Sequence, residues 1–465
     1  MPTVTVEGAH GKTVTLNFDT NANAALARKL AAAITAGVQG GSILAAVDTD
    51  GPPPPLAPGK TGEFVQKHAG TAVLTAGYKA YVNTAKDATV FGSGENDTSV
   101  LSSTGNLRFL ASAGSGTVVA GGGDNRILIA ATDKGGWSVN TGKGDDTVSA
   151  LGSGNDTISA GAGHNAIMLG GGKDFVQSTG DDSILAGSGH ATISAIGKHD
   201  VLIQGNASKL LFVGGEGSAT LFGGSGSDTF YGGDGKNLVY GGSGGHNLLF
   251  AGNGQATLFG GGDGDQLYAE GGKRQALHAG AGNETLSGFF ASGANSFYGG
   301  SGSAQITGGM GNDTFVAGTG AATVSGSFGK DMFVFTKGQA GGTVLIEDFT
   351  KGEKIDLQGY GRNEVTKALK SQHKEGGSDT ITLSDNTRIT FAGINGLSAS
   401  DFSVSGDGSG DGHGHQGGGH GKHDAGQHGH GHPNSHDGFG GGKGFGGGHD
   451  DHGKGQGPFG GHWNH

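Results

Sequence analysis

Aspartates that recur beside clustered glycines are the residues of this chain with the most chemistry to offer. In GGMGNDTFV, Gly308 to Val316, glycine holds the first, second and fourth positions, an acid the sixth and an apolar residue the eighth. GGSGSDTFY from Gly223, LGSGNDTIS from Leu151 and AGAGHNAIM from Ala160 repeat the pattern. A carboxylate set beside the carbonyls of a glycine turn offers the all-oxygen donor set that hard cations take. A second donor set lies far from the first, in the tail that holds His413, His415, His420, His423, His428, His430, His432 and His436. Imidazole favours zinc, nickel or copper, and a chain free to move can gather several rings around one ion.

The elements that must position the acids follow from the spacing. The apolar position runs through Val148, Ile158, Ile167, Val176, Ile184, Ile193, Leu202, Leu211, Leu221, Phe230, Val239, Leu249, Leu258, Leu267, Leu277, Leu286, Phe297, Ile306, Phe315, Val324 and Phe333, mostly nine residues apart. One inward apolar residue per short strand predicts a narrow seam, and so short a period predicts a solenoid. Composition agrees: glycine is 104 of 465 residues and hydrophobic residues are 33%, too few for a thick core. The formal charge of -12 argues against a nucleic-acid partner. With no cysteine there is neither a disulfide framework nor a thiolate metal site. No apolar run reaches transmembrane length, and Met1-Pro-Thr-Val-Thr lacks the profile of a cleaved signal peptide.

Four segments are expected. Residues 1–87 read as a small α+β module: a hairpin of Thr3–Glu7 and Lys12–Phe18 about His10-Gly11, then a helix capped at Thr20 or Asn21. That helix would carry Leu26, Leu30, Ala33 and Ile34 on one face and end at Gly37, before a stiff linker at Pro52–Pro55. Residues 88–335 hold the glycine rhythm. Residues 336–404 have longer, bulkier alternating strands suited to closing the solenoid edge. Residues 405–465 are Gly and His with little to bury, and are expected to be disordered.

The nonapeptide resembles the glycine- and aspartate-rich repeat of the RTX (repeats-in-toxin, hemolysin-type calcium-binding) family. Thr343–Gly361 is similar to the flank that closes RTX modules, with Ile346, Asp348, Phe349, Gly352, Ile355, Asp356 and Leu357 matching. The resemblance implies an all-β fold, a parallel β-roll whose nonapeptides form alternate half-turns, with calcium between stacked turns on each edge. It also implies an extracellular or cell-surface protein, exported by type I secretion machinery without a cleaved N-terminal signal.

On that geometry each site needs acids on neighbouring turns of one edge. The residue two before the apolar position is Asp146, Asp156, Asp174, Asp182, Asp200, Asp228, Asp265, Asp313 or Asp331, whereas other turns hold Asn165, Lys209, Ala219, Asn237, Asn247, Gln275, Glu284, Asn295 or alanine. Taking every second repeat stacks Asp156 with Asp174, Asp182 with Asp200, Asp313 with Asp331, and Asp265 with Glu284. Asp146 and Asp228 stand without such a partner. Neutral turns should fold without an ion, so only partial calcium dependence is expected.

A catalytic role finds no support in the residues. The G-x-S-x-G at Gly241–Gly245 lies inside a repeat with no strand-to-helix elbow, and there is no H-E-x-x-H. The reading is therefore a non-enzymatic, calcium-binding element of an extracellular matrix or adhesive surface, with cell-surface polysaccharide or further copies of itself as partners. The alternatives are transition-metal binding by the tail, and an accessory module of an exported enzyme.

Overall fold

The computed structural model describes residues 1–47, 52–198, 200–206 and 209–406. Through them the chain winds between two ladders of parallel strands, a parallel β-solenoid. Sheet A runs from Ile43–Val47, Thr61–Gln66 and Tyr78–Asn83 to Thr343–Ile346 and Arg388–Ala392. Sheet B runs from Gly70–Val73 and Asp87–Phe91 to Lys354–Gln358 and Phe402–Ser405. Each winding contributes one strand to each sheet, and the glycine turns form the two edges between them.

Inward side chains of the two sheets meet in one continuous core from Phe64 to Phe391. Phe297, Phe315 and Phe333 lie over one another on successive strands, with ring centroids 5.3 and 5.2 Å apart. Strand pairing sets that spacing, so each inward residue packs on its own counterparts above and below. Glycine is required where turns stack. Gly329 has φ +140°, and a Cβ there would stand 2.0 Å from the Gly311 carbonyl oxygen, a distance no side chain tolerates.

The seam departs from expectation at two strands. Leu202 is 45% exposed while Val201 and Ile203 point inward, and at Lys209–Val213 the inward residues are Leu210 and Phe212, not Leu211. The register is explicit: Ile184 faces Ile203, Ile193 faces Phe212, and Phe212 faces Phe230. The turn before Val201 holds one more residue than the regular period allows. A one-residue slip in a strand exchanges its two faces.

The solenoid also begins earlier than residue 88, because Ile43–Val47 already pairs with Thr61–Gln66 in sheet A. The proline run therefore joins two neighbouring strands of one sheet instead of linking domains; Tyr78 Oη donates to the Pro54 carbonyl at 2.7 Å. The N-terminal module proper is β1 (Thr3–Glu7), β2 (Thr13–Asn17) and α1 (Asn21–Gln39). Thr20 caps α1 by accepting from the Asn23 N–H. The helix passes through Gly37 and ends at Gly40, and its buried face is Asn23, Ala24, Ala27, Ala31 and Ile34, rotated from the expected one so that Ala33 is exposed. Alanines allow close approach to the outer face of sheet A, where Val65, Ala80, Val82, Leu101 and Val119 alternate with the inward Phe64, Tyr81, Val100 and Val118.

At the other end, Arg388–Ala392 closes sheet A in parallel, and Ser378–Thr382 and His373–Glu375 continue outward antiparallel. The outermost of these, His373–Glu375, is exposed along its length. The expected disorder of the tail concerns residues that, from 407 onward, lie outside the described ones.

Candidate metal centres

The residue two before each inward apolar position sits at the mouth of its strand and turns its side chain under the glycine turn. Asp146, Asp156, Asp174, Asp182, Asp228, Asp265, Glu284, Asp313 and Asp331 are all buried there, as are Asn125, Asn165, Asn237, Asn247, Gln275 and Asn295. One side-chain oxygen repeatedly accepts the N–H of the equivalent residue on the preceding winding. Asp174 Oδ1 accepts from Asp156 N–H at 3.0 Å, Asp331 Oδ1 from Asp313 N–H at 2.8 Å, and Asn247 Oδ1 from Asp228 N–H at 2.8 Å. This ladder serves acids and amides alike.

The second polar atom separates them. In amide turns the NH2 donates to the turn carbonyls: Asn165 to Gly161, Asn247 to Gly244 and Asn295 to Gly293, at 3.0, 3.0 and 2.9 Å. Gln275 spans to Gly252 and Gly254 at 2.8 and 2.9 Å. In acid turns that place is taken by an oxygen with nothing to donate, which at Asp265 and Asp313 accepts from the Gly262 and Gly309 N–H groups at 3.2 and 2.9 Å. Asp146 Oδ2, Asp156 Oδ2, Asp228 Oδ2, Asp331 Oδ2 and Glu284 Oε1 are buried without a hydrogen-bond partner. A buried, unpaired carboxylate oxygen is costly alone and is what an oxygen-seeking cation satisfies. The residues present therefore fit calcium, with carboxylates supplying charge and turn carbonyls completing the shell. Among the described residues no three acidic or histidine side chains converge, so a calcium ion would depend on those carbonyls.

Electrostatics mark the same groups. Burial pushes the Asp146 and Asp174 carboxyls up to about 6 and Glu284 up to about 7, the last reinforced by Asp265. Burial likewise pushes Asp331 up to about 7, with the charges of Asp313, Glu353 and Asp348 adding to it. Each is a carboxylate short of positive charge.

Three of the four expected pairs stack on successive turns, two on one edge of the roll and one on the other. Asp156 lies beside Asp174, Asp265 beside Glu284, and Asp313 beside Asp331. The fourth does not form. Val201 fills the place opposite Asp182, and Asp200 is exposed on the outer side of the turn, accepting from Ser218 N–H at 2.8 Å. The same one-residue slip that displaced Leu202 moved Asp200 out of line. Asp182 is satisfied within the chain, by Ser178 Oγ at 2.6 Å and Asn165 Nδ2 at 2.7 Å. Asp146 has Asn125 and Asn165 as edge neighbours, and Asp228 has Leu210 and Asn247.

Glu353 joins the set. Two residues before the inward Ile355, it is buried over Asp331 and accepts from Thr350 N–H at 2.8 Å, extending Asp313 and Asp331 to three stacked acids. The spacing rule that located the others would have found it once extended past Phe335. Asp348 beside it accepts from Ser325 Oγ and from the Gly326 and Ser327 N–H groups at 2.6, 2.7 and 2.9 Å. The candidate zinc, nickel or copper ligands His413, His415, His420, His423, His428, His430, His432 and His436 lie outside the described residues.

Comparison with known families matches four copies of the RTX calcium-binding nonapeptide repeat, over residues 140–176, 213–245, 242–273 and 291–333. The first copy holds Asp146, Asp156 and Asp174, and the last holds Asp313 and Asp331. Asp182, Glu284 and Glu353 lie beyond the matched spans. Among curated proteins none matches the chain.

Proposed function

This chain carries calcium-binding repeats of the RTX family, and from that premise we propose that it is a secreted, non-enzymatic β-roll whose calcium sites hold a structural or adhesive surface in shape outside the cell. The observation that carries the reading is the unpaired, buried carboxylate oxygen at Asp331, inside the stack of Asp313, Asp331 and Glu353. An intracellular medium poor in calcium leaves weak sites of this kind empty; calcium at the submillimolar to millimolar levels that extracellular modules require fills them. Folding would then be completed after export, which fits type I secretion. No helix among the described residues is long and apolar enough to cross a membrane. Cell-surface polysaccharide or further copies of the chain are the partners such a roll would meet.

Calcium titration by calorimetry, on the full chain and on a chain ending at Val404, tests this. Equal calcium binding by both places the sites in the roll; no binding by either refutes it. Zinc and nickel titrations alongside test the second reading, which rests on the eight histidines between His413 and His436: uptake by the full chain alone would assign a transition-metal function to the tail.

A further inference from the structure

Four large apolar side chains stand out from one edge of the roll, near its C-terminal end. Phe289, Phe290, Met310 and Phe328 are 66%, 70%, 68% and 74% exposed. Phe289 and Phe290 close the long strand Asn283–Ala291, and Met310 and Phe328 lie on the next two turns of that edge, tied by Met310 N–H to the Ala291 carbonyl at 3.1 Å and Phe328 N–H to the Gly309 carbonyl at 3.0 Å. On earlier turns of this edge the third position is small or polar: Gly122, Lys143, Ala162, Thr179, Lys198, Glu216, Asp234, Asn253, Gly272 or Ser292. The change to Met310 and Phe328 is thus confined to the turns that also hold Asp313 and Asp331. Exposed Lys273, Arg274, Lys330 and Lys351 flank the patch, with Glu347 the exposed acid beside it. Half-buried Glu270, paired with Phe290, and Asp348, which accepts from Ser327 N–H, also border it, so four cations face three acids there, in a chain of net charge -12.

We propose that this edge docks onto a lipid bilayer bearing anionic headgroups, and that calcium at the Asp313, Asp331 and Glu353 turns holds it in the docking shape. The proposal rests on the calcium-roll reading above for its calcium dependence. Side chains so far exposed suit a partner that deforms around them: the rings and the thioether enter the interfacial region, and the cationic rim meets lipid phosphate. A rigid protein pocket would have to offer a separate hole for each tip.

Cosedimentation of the full chain with vesicles of phosphatidylcholine containing phosphatidylglycerol, in calcium and in chelator, is the test. The expected result is binding in calcium that falls at least about tenfold in Phe289→Ser/Phe290→Ser/Met310→Gln/Phe328→Ser, in Lys273→Glu/Arg274→Glu/Lys330→Glu, and in Asp313→Asn/Asp331→Asn. Calorimetric calcium binding should stay intact in the first two variants. If the wild-type chain binds calcium but no vesicles, the docking proposal fails and the calcium reading stands. Vesicle binding equal in calcium and chelator removes the calcium coupling. Should the apolar variant keep its vesicle binding yet lose a concentration-dependent self-association seen by sedimentation velocity, the patch is an interface between copies and the bilayer proposal is overturned.

Discussion

Asparagine and aspartate at the mouth of a strand differ by one atom, and that atom decides whether the turn needs an ion. Both accept the neighbouring N–H through one oxygen, as Asn247 and Asp331 do. Asn247 then spends its NH2 on the Gly244 carbonyl, whereas Asp331 leaves Oδ2 buried and unpaired. Asp331→Asn should therefore raise the stability of the calcium-free chain by about 1–2 kcal/mol, by adding a hydrogen bond and removing an unsatisfied buried charge. The same change should abolish the stabilisation one site gains from calcium, about 2.7 kcal/mol at a hundred times its Kd. Urea denaturation of both proteins, in chelator and in calcium, measures the two effects. Loss of stability in chelator would show that Oδ2 is satisfied after all. The opposite change, Asn295→Asp, places an acid beside Asp313 and should make that turn calcium-dependent.

At the scale of the element, stacking of identical inward positions concentrates the cost of any one truncation. Phe315 lies between Phe297 and Phe333, so Phe315→Ala opens a cavity against both and should destabilise the roll by about 3–5 kcal/mol, read as a shift in the urea midpoint. Such positions were legible in sequence wherever the turns kept the regular spacing, from Val148 to Ile193 and from Leu221 to Phe333, even at Ile167-Met168-Leu169 and Leu248-Leu249-Phe250 where several apolar residues adjoin. They were not legible at Val201-Leu202-Ile203 and Leu210-Leu211-Phe212, where consecutive apolar residues satisfy either face and the extra turn residue is invisible without the partner strands. The docking of α1 on the roll was hidden for a related reason, since Val65, Val82, Leu101 and Val119 point outward and look like core to a period-two reading. That junction buries Glu63, with both carboxylate oxygens unpaired, and burial together with the charge of Glu7 pushes its carboxyl up to about 8. A carboxyl raised in the folded state contributes stability that is full below its unfolded value of 4.5 and is lost as pH rises through about 8. Hydrogen exchange of α1 should thus quicken between pH 7 and pH 9 beyond the intrinsic rate, and Glu63→Gln should flatten that rise; an unchanged slope would assign the loosening to another group.

Over the whole molecule, two kinds of turn share one continuous seam. The core runs unbroken from Phe64 to Phe391, while along the glycine turns unpaired carboxylate oxygens stand at Asp146, Asp156, Asp228, Glu284 and Asp331. Between them Val201, Leu210, Ala219, Asn237, Asn247 and Ala256 fill the same slot with apolar or self-satisfied side chains, so those windings are held by ladder hydrogen bonds and burial alone. Stacked aromatic rows on both outer faces, Phe222–Tyr240–Phe259–His278–Tyr298 and Tyr231–Phe250–Tyr268, brace the same middle stretch with ring centroids 4.1–5.2 Å apart. Solenoid stability is close to a sum of local windings and their interfaces, so removing calcium should act locally. In excess chelator the far-ultraviolet circular dichroism should keep most of its β signal. Hydrogen exchange should accelerate at the turns that end in Asp146, Asp156, Asp228, Glu284 and Asp331, and stay slow on the windings whose slot holds Val201, Leu210, Ala219, Asn237, Asn247 or Ala256. A chain that loses its β signal entirely in chelator would mean that the acid turns govern folding of the whole roll, and that the neutral windings cannot stand without them.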